Sequence, residues 1–171
     1  MAKAKLEDIS QAQKERLFHI DFRLRFLGAV SRADLASRFG VKAAAATRDL
    51  SLYKELSPDN LEYDTKAKIY NPSKKFTPLF SYSQNQVLAA LGQGLGDDYV
   101  GTHRPLVTAE SPTQLNPPQL DVLATVSQAI HQKKALHVQY RSLSSGPTSR
   151  EIAPFALSLI HISEPTRQAE I

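Results

Sequence analysis

Lys42, Thr47 and Arg48 fall within the first turns of a stretch that reads as a helix from about Ala43 to Leu56, and all three project from one side of it. That combination suits one kind of chemistry. A helix laid in the major groove of duplex DNA offers its N-terminal residues to base edges, while its N-terminus and basic side chains hold phosphates. An arginine bonds a guanine edge in bidentate fashion, and a threonine bonds a base or touches a thymine methyl. On this reading Arg48 and Thr47 contact bases and Lys42 holds backbone. Ala46, Leu50 and Tyr53 repeat at i, i+4 and i+7 and must face inward, which leaves Ala45, Ser51 and Lys54 outside with the three. Lys66 and Lys68 place further positive charge on a short hairpin, where it would lie beside phosphates. The plainer alternative is a small helical domain with ordinary surface charge.

Other chemistries find less support. The histidines, His19, His103, His131, His137 and His161, show no metal-ligand spacing and no H-E-x-x-H pattern. No serine stands in a G-x-S-x-G elbow. Asp97-Asp98 reads as a solvated turn rather than an acid/base pair, and Gly92-Gln93-Gly94-Leu95-Gly96 as a frayed helix end without dinucleotide-loop spacing. The absence of cysteine excludes a disulfide scaffold, a thiolate metal site and a cysteine nucleophile. We therefore expect a binding protein rather than an enzyme, with no cofactor. No apolar run reaches the ~18 residues of a membrane span, and no secretory signal is expected at the N-terminus.

The elements that must position the basic residues can be read in turn. A long helix from about Ile9 to Leu27 carries Leu17, Ile20, Leu24 and Leu27 on one stripe and Phe18, Phe22 and Phe26 on the next, with Lys14, Arg16, Arg23 and Arg25 on its other side. Gly28 ends it. Ser31 caps a second helix, with Asp34 placed at its first turn and Leu35 and Phe39 as anchors, and Gly40 stops it. Ser31 and Arg32, where this helix starts, are counted among the DNA-facing candidates. Pro58 closes the third helix. Leu61-Glu62-Tyr63 and Lys68-Ile69-Tyr70 then read as strands joined by Asp64-Thr65-Lys66-Ala67. Three helices and a β-hairpin in this order make a winged helix-turn-helix. Its charge agrees: residues 1–75 hold 15 Lys+Arg against 10 Asp+Glu, whereas residues 76–171 hold 6 against 7.

Beyond the hairpin, six of the 10 prolines lie between positions 72 and 118, as a connecting region would have them. Ser83 to Leu91 reads as one helix, with Val87, Leu88 and Leu91 apolar. A further helix is expected with Asn116 as N-cap, Pro117 at its first position and Gln119 in a capping box. Its buried face would be Leu120, Leu123, Val126 and Ile130. A strand with Leu136, Val138 and Tyr140 on one face follows, then a turn at Ser144-Ser145-Gly146-Pro147 and a partner strand starting at Arg150-Glu151-Ile152-Ala153. The fold class is α+β, mainly α.

From Gln13 to Phe80 the chain resembles the N-terminal half of WYL-domain transcriptional regulators of the BrxR/CapW type. The likeness is carried by Gln13-Lys14-Glu15-Arg16-Leu17, Gly28-Ala29-Val30-Ser31-Arg32-Ala33-Asp34-Leu35, Arg38-Phe39-Gly40-Val41, Ala46-Thr47-Arg48-Asp49-Leu50, Tyr53, Asn60-Leu61-Glu62-Tyr63, Lys68-Ile69-Tyr70 and Phe76-Thr77-Pro78. It resumes at Leu120 and includes Ala129-Ile130, the run from Leu136 to Ser145, and Arg150 to Leu157, which is similar to the opening of a WYL domain. The resemblance implies a winged helix-turn-helix DNA-binding domain over residues 1–75, a helical connector and linker over 76–118, and the start of a small Sm-like β-barrel, the WYL sensor, over 119–157. It also implies a homodimeric repressor on a double-stranded DNA operator, of the kind that controls phage-defence operons in the bacterial cytoplasm and nucleoid. A nucleotide or nucleic-acid effector would meet the sensor at Tyr140, Arg141 and Ser142. The rival reading is a sensor or protein-interaction module that does not bind DNA.

Two departures stand out. Members of this type commonly carry Pro-Gln early in the recognition helix, where this chain has Ala44-Ala45, and the Trp-Tyr-Leu motif of the sensor never arrives in a chain without tryptophan. The stretch from Leu157 to Arg167 reads as an in-frame translation of a sequencing-library adaptor, so residues 158–171 are expected to be a non-native tail after an incomplete sensor.

Overall fold

The computed structural model describes residues 6, 9–93, 118–142 and 146–157. The order of elements is α1 (Gln11–Phe22), a π-helical turn (Arg23–Leu27), α2 (Arg32–Phe39), α3 (Ala43–Leu56), β1 (Leu61–Asp64), β2 (Ile69–Pro72), α4 (Gln84–Gln93), α5 (Leu120–Gln132), β3 (Leu136–Ser142) and β4 (Gly146–Ile152). The expected α+β architecture, a winged helix followed by the start of a second, sheet-containing part, is what the chain adopts.

Local signals set the ends of the first helices. Ser10 caps α1 by accepting from the Gln13 N–H. The long first helix is α-helical only to Phe22; its last five residues widen into a π turn closed by the Gly28 N–H on the Arg23 carbonyl (2.9 Å). Ser31 and Asp34 form a reciprocal capping box at α2. Gly28 and Gly40 end their helices at φ 75° and 64°, a conformation that a Cβ would strain.

The apolar stripes of α1 serve two separate cores. Leu17, Ile20 and Leu24 pack with Val30, Leu35, Ala46, Leu50, Tyr53, Leu56 and Leu61 inside the winged helix. Phe18, Phe22 and Phe26 pack instead with Val87, Leu88 and Ala90 of α4 and Leu123 and Ala124 of α5. A buried carboxylate stitches the connector to the first core. Asp21 is fully buried on α1 and accepts from the hydroxyls of Tyr53 and Tyr82 and from the N–H groups of Leu79 and Phe80. Asn60 continues the seam, donating to Tyr53 Oη (3.0 Å) and exchanging hydrogen bonds with the Thr77 backbone (2.7 and 2.9 Å).

Three expectations need correction. The helix expected to start at Pro117 begins at Leu120, with Gln119 as an N-cap that makes no side-chain cap bond; Asn116 and Pro117 lie outside the described residues. Its buried face is Leu123, Ala124, Ser127 and Ala129, while Val126 and Ile130 are only half-buried. The face turns because Ser127, Gln128 and Gln132 bond backbone carbonyls of the π turn. Gly146 and Pro147, expected in a turn, open strand β4 instead, paired antiparallel with Ser142 and Arg141. Pro147 can stand there because a proline is tolerated at the start of an edge strand. No described helix is long and apolar enough to cross a membrane. Gly94 to Gly96, Asp97-Asp98, His103, His161 and the tail from Ser158 onward lie outside the described residues.

Candidate nucleic-acid interface

Helix α3 turns Ala46, Asp49, Leu50, Tyr53 and Leu56 into the protein. The 3.6-residue period therefore carries Ala44, Thr47, Arg48 and Ser51 to the opposite, exposed side, with Lys54 beside them and Lys42 exposed as N-cap. Ala45, expected on the outer face, is half-buried, and Ala44 stands exposed there instead. The first turn of α3 has no acidic residue, and its cap makes no side-chain bond. The Ala45 and Ala46 N–H groups close on the Lys42 carbonyl (2.9 and 3.1 Å), and the positive end of the helix dipole stands next to Lys42. Thr47 gives its hydroxyl hydrogen to the Ala43 carbonyl (2.9 Å), which leaves the oxygen's acceptor capacity and the methyl group facing outward.

What holds this face in place is buried. Asp49, flanked in sequence by Arg48 and Leu50, has a side chain only 3 % exposed. Arg16 of α1 reaches it with Nε (2.6 Å) and Nη2 (3.3 Å), and Gln13 Nε2 adds a third bond at 3.3 Å. This fork fixes the rotation of α3 about its own axis and so the direction of Arg48. By periodicity alone Arg16 belongs to the polar side of the first helix. Only Asp49's position among inward residues of α3 hinted that it had an inward partner.

The wing is held as firmly. β1 and β2 pair from Leu61↔Pro72 to Asp64↔Ile69. The tip is therefore Thr65 to Lys68, one residue later than expected, and Lys68 stands in the turn at φ 57° rather than in a strand. Asp64 closes the tip by accepting from the N–H groups of Lys66 (2.8 Å) and Ala67 (3.0 Å). Lys66 and Lys68 are both exposed. Val30 exchanges two backbone hydrogen bonds with Tyr70 (2.9 and 2.8 Å), which ties the wing to the segment leading into α2.

Arg32 is exposed at the first position of α2, whereas Ser31 is half-buried and occupied by the capping box, its hydroxyl donating to Asp34 (2.8 Å). Among the described residues, Lys42, Arg48, Lys54, Lys66 and Lys68 are not held in ion pairs.

The three residues expected at an effector site are consecutive on β3. Strand alternation puts Arg141 on the face opposite Tyr140. Tyr140 is 52 % exposed, with the Arg150 guanidinium 5.4 Å from its ring centroid.

His19 has a different environment. It is buried between α1 and α2, edge-on to Phe39, and neither ring nitrogen has a hydrogen-bond partner among the described residues. Burial first, and then Arg23 and Arg38, lower its pKa to about 4. No three His, Asp or Glu side chains converge as metal ligands among the described residues.

Residues 12–93 match the family described as the BrxR transcriptional regulator winged helix-turn-helix domain, and residues 121–161 match the WYL domain. The chain is 35 % identical over 158 residues to the DNA-binding transcriptional repressor CapW of Escherichia coli, an alignment covering 87 % of this chain and 51 % of that protein. The repressor of the same description from Stenotrophomonas maltophilia is 33 % identical over 85 % of this chain and 50 % of its own length. That from Pseudomonas aeruginosa is 29 % identical over 85 % and 50 %. The chain thus spans about half the length of these curated relatives.

Proposed function

The chain belongs to the WYL-domain proteins whose winged helix-turn-helix is of the BrxR type, and from that premise we propose that it binds duplex DNA sequence-specifically and represses transcription. The observation that carries the proposal is the outer face of α3. An uncapped helix N-terminus, Lys42, Thr47, Arg48, Ser51 and Lys54 face outward there on a helix fixed by Arg16 and Asp49. Arg48 reads a base edge, Thr47 supplies an acceptor and a methyl, and Lys42, Arg32, Lys66 and Lys68 hold phosphates. Ala45 and the occupied Ser31 contribute backbone rather than side-chain contacts. Work is done by binding, without catalysis.

The finer reading extends this. A two-fold dimer would place two copies of α3 on an inverted repeat with half-sites about one helical turn apart. Residues 1–75 would form the DNA-binding domain, 76–118 the connector and 119–157 the start of the sensor. A nucleotide or nucleic-acid effector would engage the sensor near Tyr140, Arg141 and Ser142 to relieve repression, and the target would be a defence operon in the bacterial cytoplasm.

Binding of the full chain to a random-sequence duplex pool, followed by selection, tests the proposal. Enrichment of one inverted repeat, with affinity falling steeply as salt rises, is the expected result. An outer face that opens with the apolar Ala44 also suits a protein-binding role; absence of any salt-dependent duplex binding would favour that role and refute ours.

A further inference from the structure

Helix α1 ends in the π turn, and the carbonyls of Arg25, Phe26 and Leu27 lie beyond the last donors of that helix. Such groups need partners from elsewhere. Here they come from a helix about a hundred residues away. Gln128 Nε2 donates to the Arg25 carbonyl (2.7 Å), Ser127 Oγ to that of Phe26 (2.7 Å) and Gln132 Nε2 to that of Leu27 (3.3 Å). Asp121 adds an ion pair with Arg25 at 3.0 Å. Leu123 and Ala124 of the same helix close the core around Phe18, Phe22 and Phe26. Gly28 makes room for the approach: a Cβ there would lie 2.1 Å from Gln132 Nε2 and 3.3 Å from Gln128 Cγ.

The π turn and the residues just after it are also tied to α2 and to the wing. Arg23 pairs with Asp34 of α2 at 3.0 Å. Two residues after Gly28, Val30 is bonded in both directions to Tyr70 of the wing. The sensor-side match starts at residue 121, so α5 belongs to one matched segment and rests on the other.

We propose that α5 is the transmission contact of this regulator: its seat on the π-turn carbonyls sets the position of Val30 and hence of the wing root, so that displacement of α5 by events in the sensor half loosens the wing. This rests on the DNA-binding reading above for its consequence, but not for its geometry. The two rows of hydrogen bonds, α5 to π turn and Val30 to Tyr70, lie within six consecutive residues, 25 to 30, with the left-handed Gly28 between them. A shift at one end has little slack to dissipate in before reaching the other.

Amide hydrogen exchange on the full chain tests this without DNA. Ser127→Ala with Gln128→Met removes two of the three donors while keeping bulk. We expect exchange at the Val30 and Tyr70 amides to rise at least tenfold and that at Leu50 and Tyr53 to stay within twofold. Gln132→Met, a milder change, should give a smaller rise at the same two amides. Faster exchange confined to α5, with Val30 and Tyr70 unmoved, overturns the proposal. A uniform rise across α3 and the wing in both variants also overturns it, because α5 is then only a stabilising prop. In parallel, the double variant should show a log–log salt slope for a random duplex lower by about 1, as loss of one wing phosphate contact requires. If the wild-type chain binds no duplex, the functional reading fails and the exchange result still decides the relay.

Discussion

Replacing Arg16 by methionine isolates what the buried fork does for α3. The substitution keeps an unbranched apolar stem but strips Asp49 of its Nε bond at 2.6 Å and its Nη2 bond at 3.3 Å. A carboxylate 3 % exposed would then keep only Gln13 at 3.3 Å. Breaking a buried pair by removing one partner costs about 3–5 kcal/mol, because a desolvated charge is left behind. Arg16 retains 18 % side-chain exposure, so water reaches the site and the lower end of that range applies. With a urea slope of about 2 kcal/mol per M, a loss of about 3 kcal/mol moves the unfolding midpoint down by roughly 1.5 M. Asp49→Leu made on top of Arg16→Met should recover most of the loss, since an apolar pair fills the space without an unpaired charge. Far-UV circular dichroism of the single and double variants in urea gives the whole cycle. A midpoint shift below about 0.5 M for Arg16→Met, the behaviour of a surface pair, or no recovery in the double variant, would show that the fork does not hold α3.

Arg48→Ala should cost about 1–3 kcal/mol in affinity for the selected duplex and relax preference at one base position, as read by fluorescence anisotropy on single-base variants. Lys66→Ala should weaken binding to all duplexes alike and lower the salt slope by about 1, without altering sequence preference. Acid should destabilise the fold through His19: the unfolded chain takes up its proton below the ordinary 6.5, whereas the folded protein resists until about 4. Stability from this group is intact at neutral pH and falls by roughly 1.4 kcal/mol per unit across that window, so His19→Phe should lack this slope when the two are unfolded in urea at each pH. Asp21 acts with the opposite sign, its carboxyl raised by burial despite four donors, and it cancels in that comparison because both proteins carry it. Sedimentation of the full chain should report a dimer; a monomer at high concentration would leave only single half-site binding.

The local instructions of this protein are written where they act. Ser31 with Asp34, the glycines at 28 and 40, and the i, i+4, i+7 repeat of Ala46, Leu50 and Tyr53 are short-range signals, and each produced the helix boundary or face that its spacing implies. The charged outer face of α3 was legible for the same reason: a helix exposes whatever its buried residues leave over, so Thr47, Arg48 and Ser51 follow from the inward set. Non-local matters were not legible. Nothing in the order of Leu17, Phe18, Ile20 and Phe22 says that the leucine and isoleucine would enter one core and the phenylalanines another, because an apolar stripe specifies burial and not its partner. Asp21, Asp49 and Arg16 are ordinary polar letters until tertiary contact desolvates them and supplies their donors. The rotation of α5 is not legible from periodicity, which counts apolar residues, whereas its seat is decided by Ser127, Gln128 and Gln132. Those side chains turn toward the π turn because carbonyl groups at the end of a helix, withdrawn from water, must be given hydrogen bonds by whatever packs against them.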